Sequence, residues 1–232
     1  MIVKSYIPNF ITLLNLFSGC VAVIFALEGN MKLTALFVCL GIFFDFFDGF
    51  VARKLNVQSE LGVQLDSLAD MVTSGLVPGL VLFHLLELGL QPSLETYNFL
   101  PYFGFLVTLA SSYRLAKFNI STNQSDAFIG LPTPANTLLI VSLPLILEFQ
   151  NNDIINSIIL NSWFLIILTL VSCYLLNAPI KLISLKFKTW SFRDNASRYI
   201  LIVLSSIILA IFQFSGIPIV IITYIVLSIL SK

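Results

Sequence analysis

Charge is what this chain has least of. Only 10% of its 232 residues are Asp, Glu, Lys or Arg, against roughly 25% in a soluble globular domain. That shortage excludes a mostly solvated surface. The twelve basic residues never form a run long enough to hold nucleic acid. Histidine occurs once, as His84 at the end of an apolar run, where it reads as an interfacial residue. Cys20, Cys39 and Cys173 stand singly within apolar runs without metal or disulfide spacing, so they read as packing residues. Low-complexity tracts and the inverted repeats common in transporters are also missing.

Apolar residues fill the rest, at 58% with a mean hydropathy of +0.98. Several runs approach the roughly 20 residues that cross a bilayer core about 30 Å thick. They are unbroken rather than alternating, which points to helices and excludes a β-barrel. The expectation is an all-α integral membrane protein, a single domain over 1–232. It is a helical bundle of about eight transmembrane helices (six to eight), at 8–27, 31–52, 63–87, 98–118, 132–149, 154–177, 198–214 and 217–230. Ser215, Gly216 and Pro218 favour a hairpin between the last two over one long kinked helix. No cleavage pattern follows MIVKSYIPNF, so the first run is expected to stay as a membrane helix. The 21 phenylalanines read as lipid-facing or packing side chains.

Lysines and arginines set the orientation, because cytoplasmic loops hold an excess of them. With eight crossings, Lys4, Arg53, Lys54, Arg114, Lys117, Lys181, Lys186, Lys188, Arg193, Arg198 and Lys232 share one face, eleven of the twelve. Lys32 falls opposite with Glu28, Glu87, Glu95, Glu148 and Asp153. Both termini and the junction of the second and third segments are therefore expected on the cytoplasmic side of the cell membrane. Residues 181–198, KLISLKFKTWSFRDNASR, read as an interfacial loop with lysines toward anionic head groups and Trp190 and Phe192 at the boundary.

That junction carries four aspartates at a place where charge is expensive. Asp45 and Asp48 are three apart near the end of one helix, Asp66 and Asp70 four apart near the start of the next, so each pair shares a helix face. If the helices are antiparallel neighbours, the four carboxylates converge and repel unless a cation or protonation relieves them. Hard divalent ions, Mg2+, Mn2+ or Ca2+, take such oxygen ligands, and four acids fit one ion plus a base, or two ions. Gly49 and Gly62 allow a ligand close to backbone, and Arg53 offers the donor fork that suits a phosphate. Together these features describe a diphosphate site at the membrane surface. A cation transporter is the rival from another class; against it, all four acids sit at one membrane edge.

The positions Asp48, Gly49, Ala52, Arg53, Gly62, Asp66 and Asp70 reproduce DGxxARx8GxxxDxxxD, and Asp45 extends it to DxxDG. This pattern resembles the signature of the CDP-alcohol phosphatidyltransferases. IPNFITLLNLFSG at the N-terminus, SELGVQLDSLADMVTSGLVPG, RLAKFN at 114–119 and FIGLPTPA at 128–135 resemble the membrane-embedded phosphatidylserine synthases within that family. The resemblance reaches to about residue 200. It implies metal ligation by Asp45, Asp48, Asp66 and Asp70, with Asp70 also the general base. It places Asn9, Thr12, Gly49, Ala52, Arg53, Gly62 and Ser67 around the CDP-lipid. Arg114, Lys117 and Asn119 would hold the serine carboxylate or a phosphate, a reading preferred over ordinary positive-inside anchoring for Arg114 and Lys117. The implied partners are CDP-diacylglycerol, L-serine, membrane lipids and a second copy in a homodimer, with glycerol 3-phosphate or inositol phosphate as alternative acceptors.

Overall fold

A computed structural model describes residues 2–90, 99–120, 128–183 and 192–230. Its elements are α1 (Ile2–Leu27), α2 (Met31–Leu55), α3 (Glu60–Asp70), a π turn (Met71–Leu76), α4 (Val77–Gly89), a 3-10 turn (Leu100–Phe105), α5 (Leu106–Ile120), β1 (Phe128–Ile129), α6 (Thr133–Phe149), α7 (Asp153–Ile159), α8 (Ser162–Asn177), β2 (Lys181–Leu182) and α9 (Phe192–Leu230). The expected all-α membrane protein is what is seen, with one two-residue antiparallel ladder, Phe128 opposite Leu182 and Ile129 opposite Lys181.

The number of spans is smaller than expected. Four helical stretches are long and apolar enough to cross a bilayer, Tyr6–Leu27, Met31–Leu55, Glu60–Gly89 and Asn195–Leu230, or five if α7 and α8 make one broken span. The differences have local causes. The segment expected at 98–118 opens as a 3-10 turn and continues as a 15-residue helix carrying Ser111, Ser112, Arg114 and Lys117. The helix at 133–149 has 17 residues. Residues 154–177 bend by 59° because Asn161 accepts from the amides of Trp163 and Phe164 and so starts a new helix.

The two last segments form one run, α9, that breaks at Gln213 (φ 50°, ψ −122°). A Cβ built on Gly216 would lie 2.9 Å from the Ile208 carbonyl oxygen, whereas eight residues along a straight helix span about 12 Å. The chain therefore turns back here, as Ser215 and Gly216 indicated. Gln150 holds the turn: its Nε2 donates to the Phe212 carbonyl at 2.9 Å, and its Oε1 accepts from the Ser215 amide at 2.7 Å and hydroxyl at 2.8 Å. At the other end of the return limb, the Tyr224 hydroxyl donates to the Ile183 carbonyl and the Ser228 hydroxyl accepts from the Ile183 amide.

The core is built from fully buried apolar side chains, among them Ala22, Val38, Val81, Leu82, Val107, Ile140 and Leu165, which join α1, α2, α4, α5, α6 and α8. Large apolar side chains such as Phe17, Phe46, Trp163 and Leu230 are exposed on the outside of the helices, as lipid-facing surface requires. At the end of the bundle remote from the aspartates, Lys32 pairs with Glu148 at 2.8 Å, and the His84 ring packs on Gly29. Lys186, Lys188 and Trp190 of the expected interfacial loop, and Glu95, lie outside the described residues.

Candidate active site

Asp45 and Asp48 occupy the last turns of α2. That helix ends because Asn56 adopts a left-handed conformation (φ 53°), with its amide returning to the Ala52 and Arg53 carbonyls. Three residues later α3 begins on Ser59, whose hydroxyl oxygen accepts the Gly62 amide at 3.1 Å. The expected side-by-side packing of α2 and α3 is not what is seen: both helices pack against α1, and the short link brings Asp66 back toward Asp45 and Asp48 across it.

Carboxylate oxygens of Asp45, Asp48 and Asp66 lie within 4.8 Å of one another, close enough for one ion to take all three. Asp66 Oδ1 is buried with no hydrogen-bond partner among the described residues, which is the orphaned acceptor a cation would satisfy. Asp48 is buried, and its Oδ2 accepts the Thr12 hydroxyl at 2.5 Å. This donor set, three hard oxygens without Cys or His, fits Mg2+ or Mn2+.

Asp70 lies close to this triad but is not one of the three whose oxygens fall within 4.8 Å of one another. At 8% exposure it accepts the Asn15 carboxamide on Oδ1 at 3.2 Å. The next residues, Met71–Leu76, form a π turn, a rare geometry frequent at functional sites.

A cavity of about 180 Å3 opens beside the acids. Asn9 and Thr12 of α1, Asp48, Gly49, Ala52 and Arg53 of α2, and Gly62 and Asp66 of α3 all line it. A side chain at Gly62 would sit 3.4 Å from Asn9 Oδ1, and one at Gly49 would sit 3.2 Å from an Arg53 guanidinium nitrogen. Both glycines thus keep polar groups within reach of a ligand.

Ser67, Arg114, Lys117 and Asn119 are placed differently. The Ser67 hydroxyl donates to Asn119 Oδ1 at 2.9 Å, and Asn119 Nδ2 donates to Gln64 at 3.2 Å, so these side chains tie α5 to α3. Arg114 reaches the FIGLP segment: Nε donates to the Leu131 carbonyl at 2.8 Å, and Nη2 lies 3.3 and 3.4 Å from the Gly130 and Ile129 carbonyls. Lys117 is exposed. Two residues beside Asp70 are not among those expected from the sequence: Asn15, and Thr73, whose hydroxyl donates to Asn15 Oδ1 at 2.8 Å. The signal for Asn15 was a carboxamide inside an apolar run one turn after Thr12; nothing local marked Thr73.

The model of the CDP-alcohol phosphatidyltransferase family matches residues 5–175. Several similar proteins carry the name CDP-diacylglycerol--serine O-phosphatidyltransferase. That of Bacillus subtilis is 39% identical over 158 residues, 66% of this chain and 81% of that protein. That of Methanocaldococcus jannaschii is 33% identical over 153 residues, 66% of each. For that of Helicobacter pylori J99 the figures are 35% over 140 residues, 58% of this chain and 55% of the relative. The family match includes the four aspartates, the cavity and the helices that position them, and on that extent the chain belongs to the CDP-alcohol phosphatidyltransferase family.

Proposed function

We propose that the protein transfers the phosphatidyl group of CDP-diacylglycerol to the hydroxyl of L-serine, giving phosphatidylserine and CMP. The observation that carries the reading is the division of the four acids: three converge beside a cavity carrying Arg53, and the fourth is held separately by Asn15. The names of the relatives support serine as acceptor.

The diphosphate of the CDP-lipid occupies the cavity, where the Arg53 guanidinium donates to phosphate oxygens and Asn9 and Thr12 border it from α1. Asp45, Asp48 and Asp66 would hold one Mg2+ or Mn2+, and a second ion if Asp70 joins them. Bound there, a divalent cation neutralises diphosphate charge. Asp70 accepts the proton of the serine hydroxyl. The serine oxygen forms a bond to the lipid-side phosphorus, and the bond from that phosphorus to the oxygen bridging it to CMP breaks, so CMP leaves with the electron pair. The side chains before the reaction bear all the positioning, since phosphoryl transfer asks for little else from a protein.

Arg114 is assigned the serine carboxylate, with Lys117 and Asn119 near it on α5. Its bonds to residues 129–131 set the guanidinium and the FIGLP segment in one arrangement. Arg114→Ala is expected to raise the apparent KM for serine by roughly tenfold or more, since a hydrogen bond to a charged group is worth about 1.5–3 kcal/mol. An unchanged serine KM removes Arg114 from that role. The proposal includes a site on the cytoplasmic face, which the excess of basic residues on that side supports, in a single multi-pass membrane domain over 1–232, and a homodimer, as the resemblance implies.

The direct test is CMP release by purified protein with CDP-diacylglycerol, Mg2+ or Mn2+, and a panel of alcohols. Release with serine is the expected result. Release only with glycerol 3-phosphate overturns the acceptor assignment, and none with any alcohol overturns the reaction.

A further inference from the structure

We infer that Asn15 and Thr73 form a buried positioning pair that fixes the carboxylate of Asp70 for proton transfer, an inference that rests on Asp70 being the base. Asn15 and Thr73 are both fully buried, and a carboxamide in the middle of an apolar helix is costly unless its donors and acceptor are used. Asn15 uses both ends. Its Nδ2 donates to Asp70 Oδ1 at 3.2 Å, and its Oδ1 accepts the Thr73 hydroxyl at 2.8 Å.

The orientation of the amide is forced by its neighbours. An ionised carboxylate only accepts, so the NH2 end must face Asp70, which turns the oxygen end to Thr73, whose hydroxyl lies 2.8 Å from Asn15 Oδ1 and 3.2 Å from the Asn15 backbone carbonyl. With Oδ1 occupied in this way, one oxygen of Asp70 is anchored, and the other, Oδ2, carries no protein hydrogen bond among the described residues.

Glycines on α1 and α2 make room for the pair. A Cβ at Gly41 of α2 would lie 2.6 Å from Thr73 Cγ2 and 2.9 Å from Asn15 Oδ1, and one at Gly19 of α1 would collide with the Thr73 hydroxyl. Thr73 itself sits in the π turn that follows Asp70. Four separate features of α1, α2 and the α3 extension therefore converge on one hydrogen-bonded chain ending at Asp70. Buried polar contacts also glue membrane helices, so the test must separate glue from positioning.

The purified full-length protein is assayed with whichever alcohol the wild type accepts, so wild-type turnover tests the reaction and variant-to-wild-type ratios test the pair. Thr73→Val keeps the shape and removes the hydroxyl; its kcat is expected to fall about 10- to 100-fold, the scale set by misplacing a catalytic group. The KM for CDP-diacylglycerol and the thermal shift it produces on binding stay near wild type, and Thr73→Ser recovers most of kcat. Gly41→Ala supplies an independent arm: it keeps every polar group, displaces Thr73, and is expected to lower kcat in the same selective way. The inference is overturned if Thr73→Val keeps its kcat, if Thr73→Ser is as damaging as Thr73→Val, or if kcat and CDP-lipid binding fall together.

Discussion

Asp70→Asn is expected to lower turnover by roughly 10²- to 10⁴-fold, the contribution of a positioned general base, while CDP-lipid binding stays close to wild type. The asymmetry follows from where the acids lie. Asp70 is outside the group formed by Asp45, Asp48 and Asp66, and it is held from behind by Asn15. An asparagine has the same size and can still present an oxygen to Asn15, so the packing of α1 against α3 survives. What disappears is the capacity to take a proton. Binding is read from the thermal shift caused by CDP-diacylglycerol and turnover from CMP release. Loss of both to the same extent would assign Asp70 to ligand binding instead.

Asp66→Asn should show the opposite pattern, with a loss of activity of similar size that arises through binding. Its carboxylate closes the triad within 4.8 Å and carries the buried oxygen without a partner. In the metal-free protein three carboxyl groups this close must either repel or take up protons, and either costs stability. Removing one is expected to raise the unfolding temperature measured in EDTA. Adding Mg2+ or Mn2+ then reverses the ranking: a ligand at 100 times its Kd stabilises the wild type by about 2.7 kcal/mol, and Asp66→Asn forgoes that gain. The measurement is unfolding temperature against metal concentration for both proteins. A wild-type metal response in Asp66→Asn would show that the ion is held elsewhere.

Legibility in the sequence divided along physical lines. The four acids were readable because spacings of three and four place side chains on one helical face whatever surrounds them, and the short link from Asn56 to Ser59 keeps both pairs at one end of the bundle; that α1 lies between the two helices had no local mark. The hairpin near residue 215 was likewise written in Ser215, Gly216 and Pro218. The break at Asn161 carried a usable signal, an Asn ahead of Ser-Trp-Phe, but continuous hydropathy across 154–177 concealed it. The π turn at Met71–Leu76 had no such mark, since an i→i+5 turn persists only where tertiary packing favours it. Asn15 and Arg114 show the same limit from another side. A residue type indicates what a side chain could bond, but the Thr73 hydroxyl and the carbonyls of 129–131 are brought to them by distant parts of the chain.

The bond from Thr12 to Asp48 and the contact from Asn15 to Asp70 also bear on the order of assembly. Both stay within the first 70 residues, and together they tie α1 to α2 and α3, consecutive elements joined by short links. During synthesis these residues emerge before α6 to α9, so the acid cluster and its supports, whose two bonds span 36 and 55 positions, can find one another while those helices are still unmade. Later helices then close around a nucleus already shaped for its chemistry. Damage to the Asn15–Thr73–Gly41 contact would therefore be felt at the start of folding, and damage to the Gln150 turn only at its end.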